Sequence, residues 1–502
     1  MDILWNLDVR NLCDLLKKAD QYVQENKDRV VELWRLKYHL TGACGWINDP
    51  NGFVLYKGVY HLLYQHYPFD AVWGPMYWGH ATSSDLVDWT LQPIALAPDM
   101  PYDRDGCFSG SSIAVEGKLH LFYTGHVWVS EDKTKYEQTQ CLAISSDGIH
   151  FKKYEHNPII GQNEIPSDAS RSDFRDPKVI MRDGIYYMLV GSMDTLGLGQ
   201  ILLYKSQDLK NWKFVNILLH NDGTVGRGTW ECPDLFSLGE RDVLIFSPQF
   251  MQSRGYEFKN LHSAVYWVGY FNIEKGIFEG GEPIALDSGF DFYAPQVLVD
   301  ERGRRILTAW MDMWESPMPT ADLGHNWAGA MVLPREIILA GDKLHFKPID
   351  EIENYRSNEF TLENVTVKGE YILPVDGDCY ELDAEFVCIG EDSFGLKVRT
   401  GAKEETVLRF IPEENLFEFN RNHSGKGSGG VRQTKVDIKN KRLQLRVFVD
   451  KSSVEVFVNH GEKVLSGRIY PDKNSKGIVL FSDGRVHLDW LKKWDLMKFD
   501  NY

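Results

Sequence analysis

The chain has 502 residues, 43% apolar and 25% charged, the make-up of a folded protein with room for roughly two to four domains. Its net charge of −17 argues against nucleic acid or an anionic membrane surface as a partner, because like charges repel. Seven cysteines with no CxxC pair disfavour a disulfide framework and a structural zinc site, and fit a reducing compartment.

The N-terminus "MDILWNLDVRNLCDLLKKAD" has neither a basic segment nor a long apolar run, so no signal peptide is expected. No stretch approaches the roughly 20 apolar residues of a membrane span. A cytoplasmic protein is expected. Residues 9 to about 37 carry apolar side chains at helical spacing (Val9, Leu12, Leu15, Leu16, Val30, Leu33, Trp34), which predicts one or two amphipathic helices packed on something larger.

The texture then changes to short apolar-aromatic runs broken by Gly, Asp, Asn and Pro, an all-β pattern. One run recurs five times: "YHLLYQ" from Tyr60, "LHLFYT" from Leu119, "YYMLVG" from Tyr186, "VLIFSP" from Val243 and "ILTAWM" from Ile306. The starts lie 59, 67, 57 and 63 residues apart. A second element, "SSDLVDW", "SSDGIHF" or "SQDLKNW", follows in three units and carries Asp85, Asp147 or Asp208 as a turn former. A period near 60 holds four short strands with loops, which predicts a five-bladed β-propeller over 38–345. A linker over 346–357 follows. Residues 358–502 alternate polar and apolar without that period, in runs such as "CYELDAEFVCI", "RLQLRVFVD" and "SVEVFVN", and predict a β-sandwich. Residues 1–37 remain as a helical extension.

Ten to thirteen residues before each repeated run stands an unusual polar residue: Asp49 in "NDPNG", Ser109 in "CFSGSS", Asp176 in "FRDPKV", Glu231 in "WECPDLF" and Tyr293 in "FDFYAPQ". If the repeated run is the second strand of each blade, these residues belong to the first strand and face the central channel. Asp49 is expected in a tight turn walled by Trp46 and Phe53. Three acids from three blades would converge, as hydrolysis of a glycosidic bond requires. Glu231, between Trp230 and Cys232-Pro233, is expected to stay protonated and serve as acid/base. Asp49, beside Asn48, Asn51 and turn amides, is expected to be the ionised nucleophile. Asp176 is expected to be kept ionised by Arg175 and to hold sugar hydroxyls.

These motifs resemble the signature of glycoside hydrolase family 32, the β-fructofuranosidases. "GWINDPNG" resembles its nucleophile motif, "FRDP" its transition-state motif and "WECPDLF" its acid/base motif; "YQHYPF", "WGPMYWGHATSSDLVDW", "FSGS", "DFYAPQ" and "AWMD" are similar to further family segments. The resemblance implies a propeller plus sandwich, a retaining double displacement at a β-fructofuranoside, and neither metal nor cofactor. It implies that Asp49 attacks fructose C2, that Asp176 holds ring hydroxyls and that Glu231 protonates the leaving oxygen. Asn48, Gln65, Trp73, Phe108, Ser109, Arg175, Tyr293 and Trp310 are implied to line the fructose pocket. The partner expected is a small sugar, sucrose 6-phosphate or sucrose, with no nucleic acid and no membrane. Arg104, His126 and Lys133 read as solvated loop charges rather than phosphate ligands.

Overall fold

The computed structural model describes residues 15–497. Among the described residues, five antiparallel sheets follow one another in the chain. Their first strands are Gly45–Tyr56, Gly106–Val115, Ala169–Arg182, Trp230–Leu238 and Tyr293–Val299, here called the first strands of blades I to V. The five repeated runs fall in the second strands, from Val59–Tyr67 in blade I to Arg305–Trp310 in blade V. In three blades the turn after the third strand is built alike. Asp85, Asp147 and Asp208 each accept two backbone N–H groups through Oδ1, while Ser83, Ser145 and Ser206 cap the same turn. The ring closes where Trp327–Ala328, in a blade V connection, pairs in parallel with Gly45 and Trp46 of blade I.

Of the one or two helices expected at the N-terminus, one is present among the described residues. One helix, α1 (Leu15–Asn26), is followed only by single 3-10 turns at Lys27–Arg29 and Glu32–Trp34. The part expected over residues 9–14 lies outside the described residues. Helix α1 packs Ala19 against Tyr77, Ile94 and Ala97 of blade I, and Asp20 accepts the Ile94 N–H at 2.9 Å. Beyond it the chain runs extended, because β-branched Val30 and Val31 disfavour helix and Trp34 is buried by tertiary packing instead. Its indole donates to the Pro471 carbonyl at 2.8 Å and packs on Trp327 and Tyr470.

The last propeller strand ends at Pro348, a 3-10 turn covers Asp350–Tyr355, and the sandwich begins with the strand Arg356–Ile372. Its two layers are continuous rather than separate. The strand Gly477–Leu496 pairs through its first half with Phe394–Thr400 and through its second with Tyr380–Val387. Leu382, Leu396, Leu408, Leu445, Val456 and Leu480 fill the core between the layers. No described helix is long and apolar enough to cross a membrane.

Propeller and sandwich are joined by buried charge. Glu455 accepts from Arg335 and from the Leu333 N–H, and bonds the His39 ring at 2.8 Å; His39 also bonds Asp450 at 2.9 Å, and Arg335 donates to Asp287 at 2.9 Å. Burial alone would raise the Glu455 carboxyl, but Arg335 and His39 overcome it and hold it down at about 2. Removing one member of a buried network leaves the others uncompensated, at a cost of about 3–5 kcal/mol. Glu455→Ala is therefore expected to lower the thermal midpoint by many degrees in calorimetry. A midpoint within a degree of wild type would contradict this role.

Candidate active site

Every first strand carries an extra residue relative to its partner at the same place. The register shifts fall between Ile47 and Pro50, Phe108 and Gly110, Arg175 and Lys178, Glu231 and Asp234, and Tyr293 and Gln296. Such bulges re-aim side chains, and Pro suits them because its missing N–H has no ladder partner there. Pro50, Pro177, Pro233 and Pro295 occupy them in four blades, with Gly110 in the fifth. Asp49 thus sits in a bulged strand, not the tight turn expected.

Aligned on this Pro or Gly, the five strands form rows. Asp49, Ser109, Asp176, Cys232 and Ala294 immediately precede the Pro or Gly; Asn48, Phe108, Arg175, Glu231 and Tyr293 come one earlier. Glu231 and Tyr293 are therefore one residue out of phase with Asp49 and Asp176, which corrects the equivalence read from the repeat. Asp176, Cys232 and Ala294 take φ values of 65°, 48° and 52°, a left-handed backbone that non-glycine residues rarely adopt and that persists where surroundings enforce it. The next row, Asn51, Ser111, Lys178, Asp234 and Gln296, closes the channel beneath. Asn51 accepts the Gly110 N–H at 3.1 Å, Ser111 accepts the Val179 N–H at 3.1 Å, Lys178 pairs with Asp234 at 2.8 Å, and Gln296 donates to the Gly110 carbonyl at 2.7 Å. Asn51 therefore serves the floor and does not touch Asp49.

Above this floor lies a cavity of about 430 Å³, into which Asp49, Asp176 and Glu231 all project. Asp49 accepts from Ser109 Oγ at 2.7 Å and from Asn48 Nδ2 at 3.0 Å, and Asn48 is itself fixed by the Trp46 indole at 2.7 Å. Burial raises the Asp49 carboxyl above its ordinary value, against the hydrogen bonds from Ser109 and Asn48. Asp176 accepts the Cys232 N–H at 3.0 Å. Its carboxyl is pushed up to about 7 by burial first, with Glu231 and Asp49 adding to the rise and Arg175 opposing it. Arg175 acts on Asp176 through charge and does not hydrogen-bond it. Its Nε and Nη2 donate to Glu231 Oε1 at 3.0 and 2.9 Å, while the Tyr293 hydroxyl donates a short bond to Glu231 Oε2.

Residues 39–348 match the model of the glycosyl hydrolases family 32 N-terminal domain, and residues 351–495 match its C-terminal counterpart. The chain belongs to glycosyl hydrolase family 32. It is 40% identical to a sucrose-6-phosphate hydrolase of Escherichia coli, over 89% of this chain and 92% of that one. It is 38% identical to a raffinose invertase of the same organism, over 93% and 96%. Among solved structures, a Bombyx mori GH32 β-fructofuranosidase, a mutant in complex with sucrose, superposes with a TM-score of 0.85 at 34% identity, covering 96% of this chain and 98% of that one. A sucrose-6-phosphate hydrolase from Lactobacillus gasseri gives 0.85 at 30% identity, over 95% and 96%.

Within this family 32 site, Asn48, Gln65, Trp73, Phe108, Ser109, Arg175 and Tyr293 line the cavity. Trp310 does not. It is fully buried behind the wall, its ring 5.8 Å from Trp46 and 5.0 Å from Trp314, and Trp314 lines the cavity instead. The second-strand position of Trp310 faces the inter-blade core, whereas Trp314 stands in the loop beyond it. His126 is not a solvated loop charge. It is buried, stacked on Phe108 at 4.2 Å and 5°, and burial lowers its imidazole to about 3, so it is neutral. Arg104 and Lys133 are indeed exposed. Sequence reasoning also missed Trp128, Tyr136, Gln138, Gln249, Phe250 and His262 of the lining. The repeat could have found some of them: His126 and Trp128 end the second strand of blade II, just past the run "LHLFYT".

Proposed function

We propose that the protein is a retaining β-fructofuranosidase acting on sucrose 6-phosphate or sucrose. The observation that carries this reading is the convergence of three carboxylates from three blades on one aromatic-walled cavity, with donors already placed on each of them. The named activities of the family 32 relatives point the same way. Asp49 attacks C2 of the fructosyl ring while Glu231 gives its proton to the leaving oxygen, forming a fructosyl-enzyme ester. Glu231 then takes a proton from water as that water attacks C2 and releases Asp49. Asp176 binds ring hydroxyls, with bonds that strengthen as positive charge develops at C2. Asn48, Gln65 and the aromatic wall position the sugar. We place the enzyme in the cytoplasm, a reading supported by six described cysteines that are all unpaired.

The test is a comparison of kcat/KM on sucrose and sucrose 6-phosphate, with free fructose quantified against oligosaccharide. Release of free fructose from either disaccharide supports the reading. Transfer of most fructosyl units to sugar would make the protein a fructosyltransferase, and no cleavage would leave a sugar-binding propeller.

The pH profile should carry the mark of the acids. Asp49 and Asp176 must be ionised, and both carboxyls are raised, Asp176 to about 7. Activity is lost as pH falls through those raised values, so the acid limb of kcat/KM should lie well above the free-aspartate value of about 3.9. A limb at or below 4 would contradict the burial argument.

A further inference from the structure

Arg175 holds two carboxylates at once. Opposite its bonds to Glu231, its Nη1 donates to Asp173 Oδ1 at 2.9 Å and to Gln138 Oε1 at 3.3 Å. Asp173 is buried and makes no contact with the cavity. Its Oδ1 also accepts from the Tyr136 hydroxyl at 2.8 Å and from Thr229 at 3.1 Å, and its Oδ2 accepts from Ser170 at 3.1 Å. Blades II, III and IV thus meet on one carboxylate whose neighbours are all donors.

We propose that Asp173 is a positioning residue for the acid/base step: through Arg175 it aims Glu231 and shares the guanidinium charge with it. The inference rests on the reading of Glu231 as acid/base. A general acid must carry a proton near the working pH, yet a buried cation in contact favours the ionised carboxylate by roughly 1–3 pH units. The second carboxylate on the far side of Arg175 divides that charge. Burial would raise the Asp173 carboxyl, but Arg175 and the bonds from Tyr136 and Ser170 hold it below the ordinary range, so it stays ionised through the cycle. The other groups facing Glu231 are the Tyr293 hydroxyl on Oε2, the like charges of Asp49 and Asp176, and Cys232 on its own strand. Beside Arg175, His126 is neutral and adds no charge.

Asp173→Asn keeps an oxygen for Arg175 and removes the charge. It should move the alkaline limb of the pH–kcat/KM profile about one unit lower. Activity on sucrose at pH 7 to 8 should fall severalfold, while an aryl fructoside with an acidic phenol leaving group is nearly unaffected. Asp173→Glu should restore the limb. Tyr136→Phe, which strips one donor from Asp173 and strengthens its hold on Arg175, should move the limb the other way; it also serves if Asp173→Asn does not fold. An unmoved limb in folded Asp173→Asn, or an equal loss on both substrates, would reduce Asp173 to a packing residue and overturn the proposal. Should the wild type prove inactive on every fructoside, the acid/base reading fails, and a second measurement still decides the coupling. The ¹³C carboxyl signal that Glu231→Gln removes should titrate at lower pH in Asp173→Asn than in wild type. An identical titration would overturn the proposal on its own.

Discussion

Replacing Asp49 with alanine is expected to lower kcat on sucrose by about 10⁴-fold or more, the order seen when a covalent nucleophile is removed. The fold should survive. Asp49 lies in a bulge whose backbone is set by Pro50 and by the floor contacts of Asn51, neither of which needs the carboxylate. The carboxyl is raised by burial, so at neutral pH its charge is disfavoured in the folded state relative to the unfolded chain. Its removal should leave the thermal midpoint unchanged or slightly higher, although Ser109 and Asn48 each lose an acceptor. Near-wild-type turnover in a folded variant would end the assignment, as would a collapse of stability that matched the loss of activity.

Glu231→Ala is expected to separate substrates by their leaving groups. The disaccharide's leaving oxygen is a poor leaving group without a proton, so activity on sucrose should fall by several orders of magnitude. A phenolate of low basicity leaves unaided, and hydrolysis of such a fructoside should lose far less in its first step. Added azide should then restore turnover, because it attacks the fructosyl-enzyme without a general base. Arg175 keeps Asp173 as a partner in this variant, and Tyr293 retains the Ser247 carbonyl at 3.4 Å, so the local structure should persist. An equal loss on both substrates with no azide effect would make Glu231 structural.

How much of this was legible in the sequence depends on what wrote the signal. Blades repeat because each must bury the same faces, so the runs from Tyr60 to Ile306 announced five second strands, and all five fall there. Asp49, Asp176 and Glu231 could be found because they sit in the next most regular element. The phase of Glu231 was misread by one residue because the repeated runs fix the second strands and not which residue of the first strand reaches the channel. Trp310 and Trp314 show the same limit. Both are Trp beside a strand end, and only the direction of the loop after Trp310 decides which faces sugar. His126 looked like a loop charge because a lone histidine carries no sign of the Phe108 ring that stacks on it. Asp173 was invisible for a different reason. Its function depends on a guanidinium two residues away whose main partner, Glu231, is 56 residues further along. The sandwich was readable as alternating strands, but not the continuity of its layers, since pairing of Gly477–Leu496 with two different strands is a long-range choice.

A double displacement through Asp49 is written in the configuration of the first product. Two inversions at C2 return the starting anomer, whereas direct attack by water gives the opposite one. Sucrose labelled with ¹³C at fructose C2 should be hydrolysed at high enzyme concentration and followed by NMR within seconds, before mutarotation scrambles the anomers. β-Fructofuranose should appear first; α-fructofuranose appearing first would rule out the double displacement.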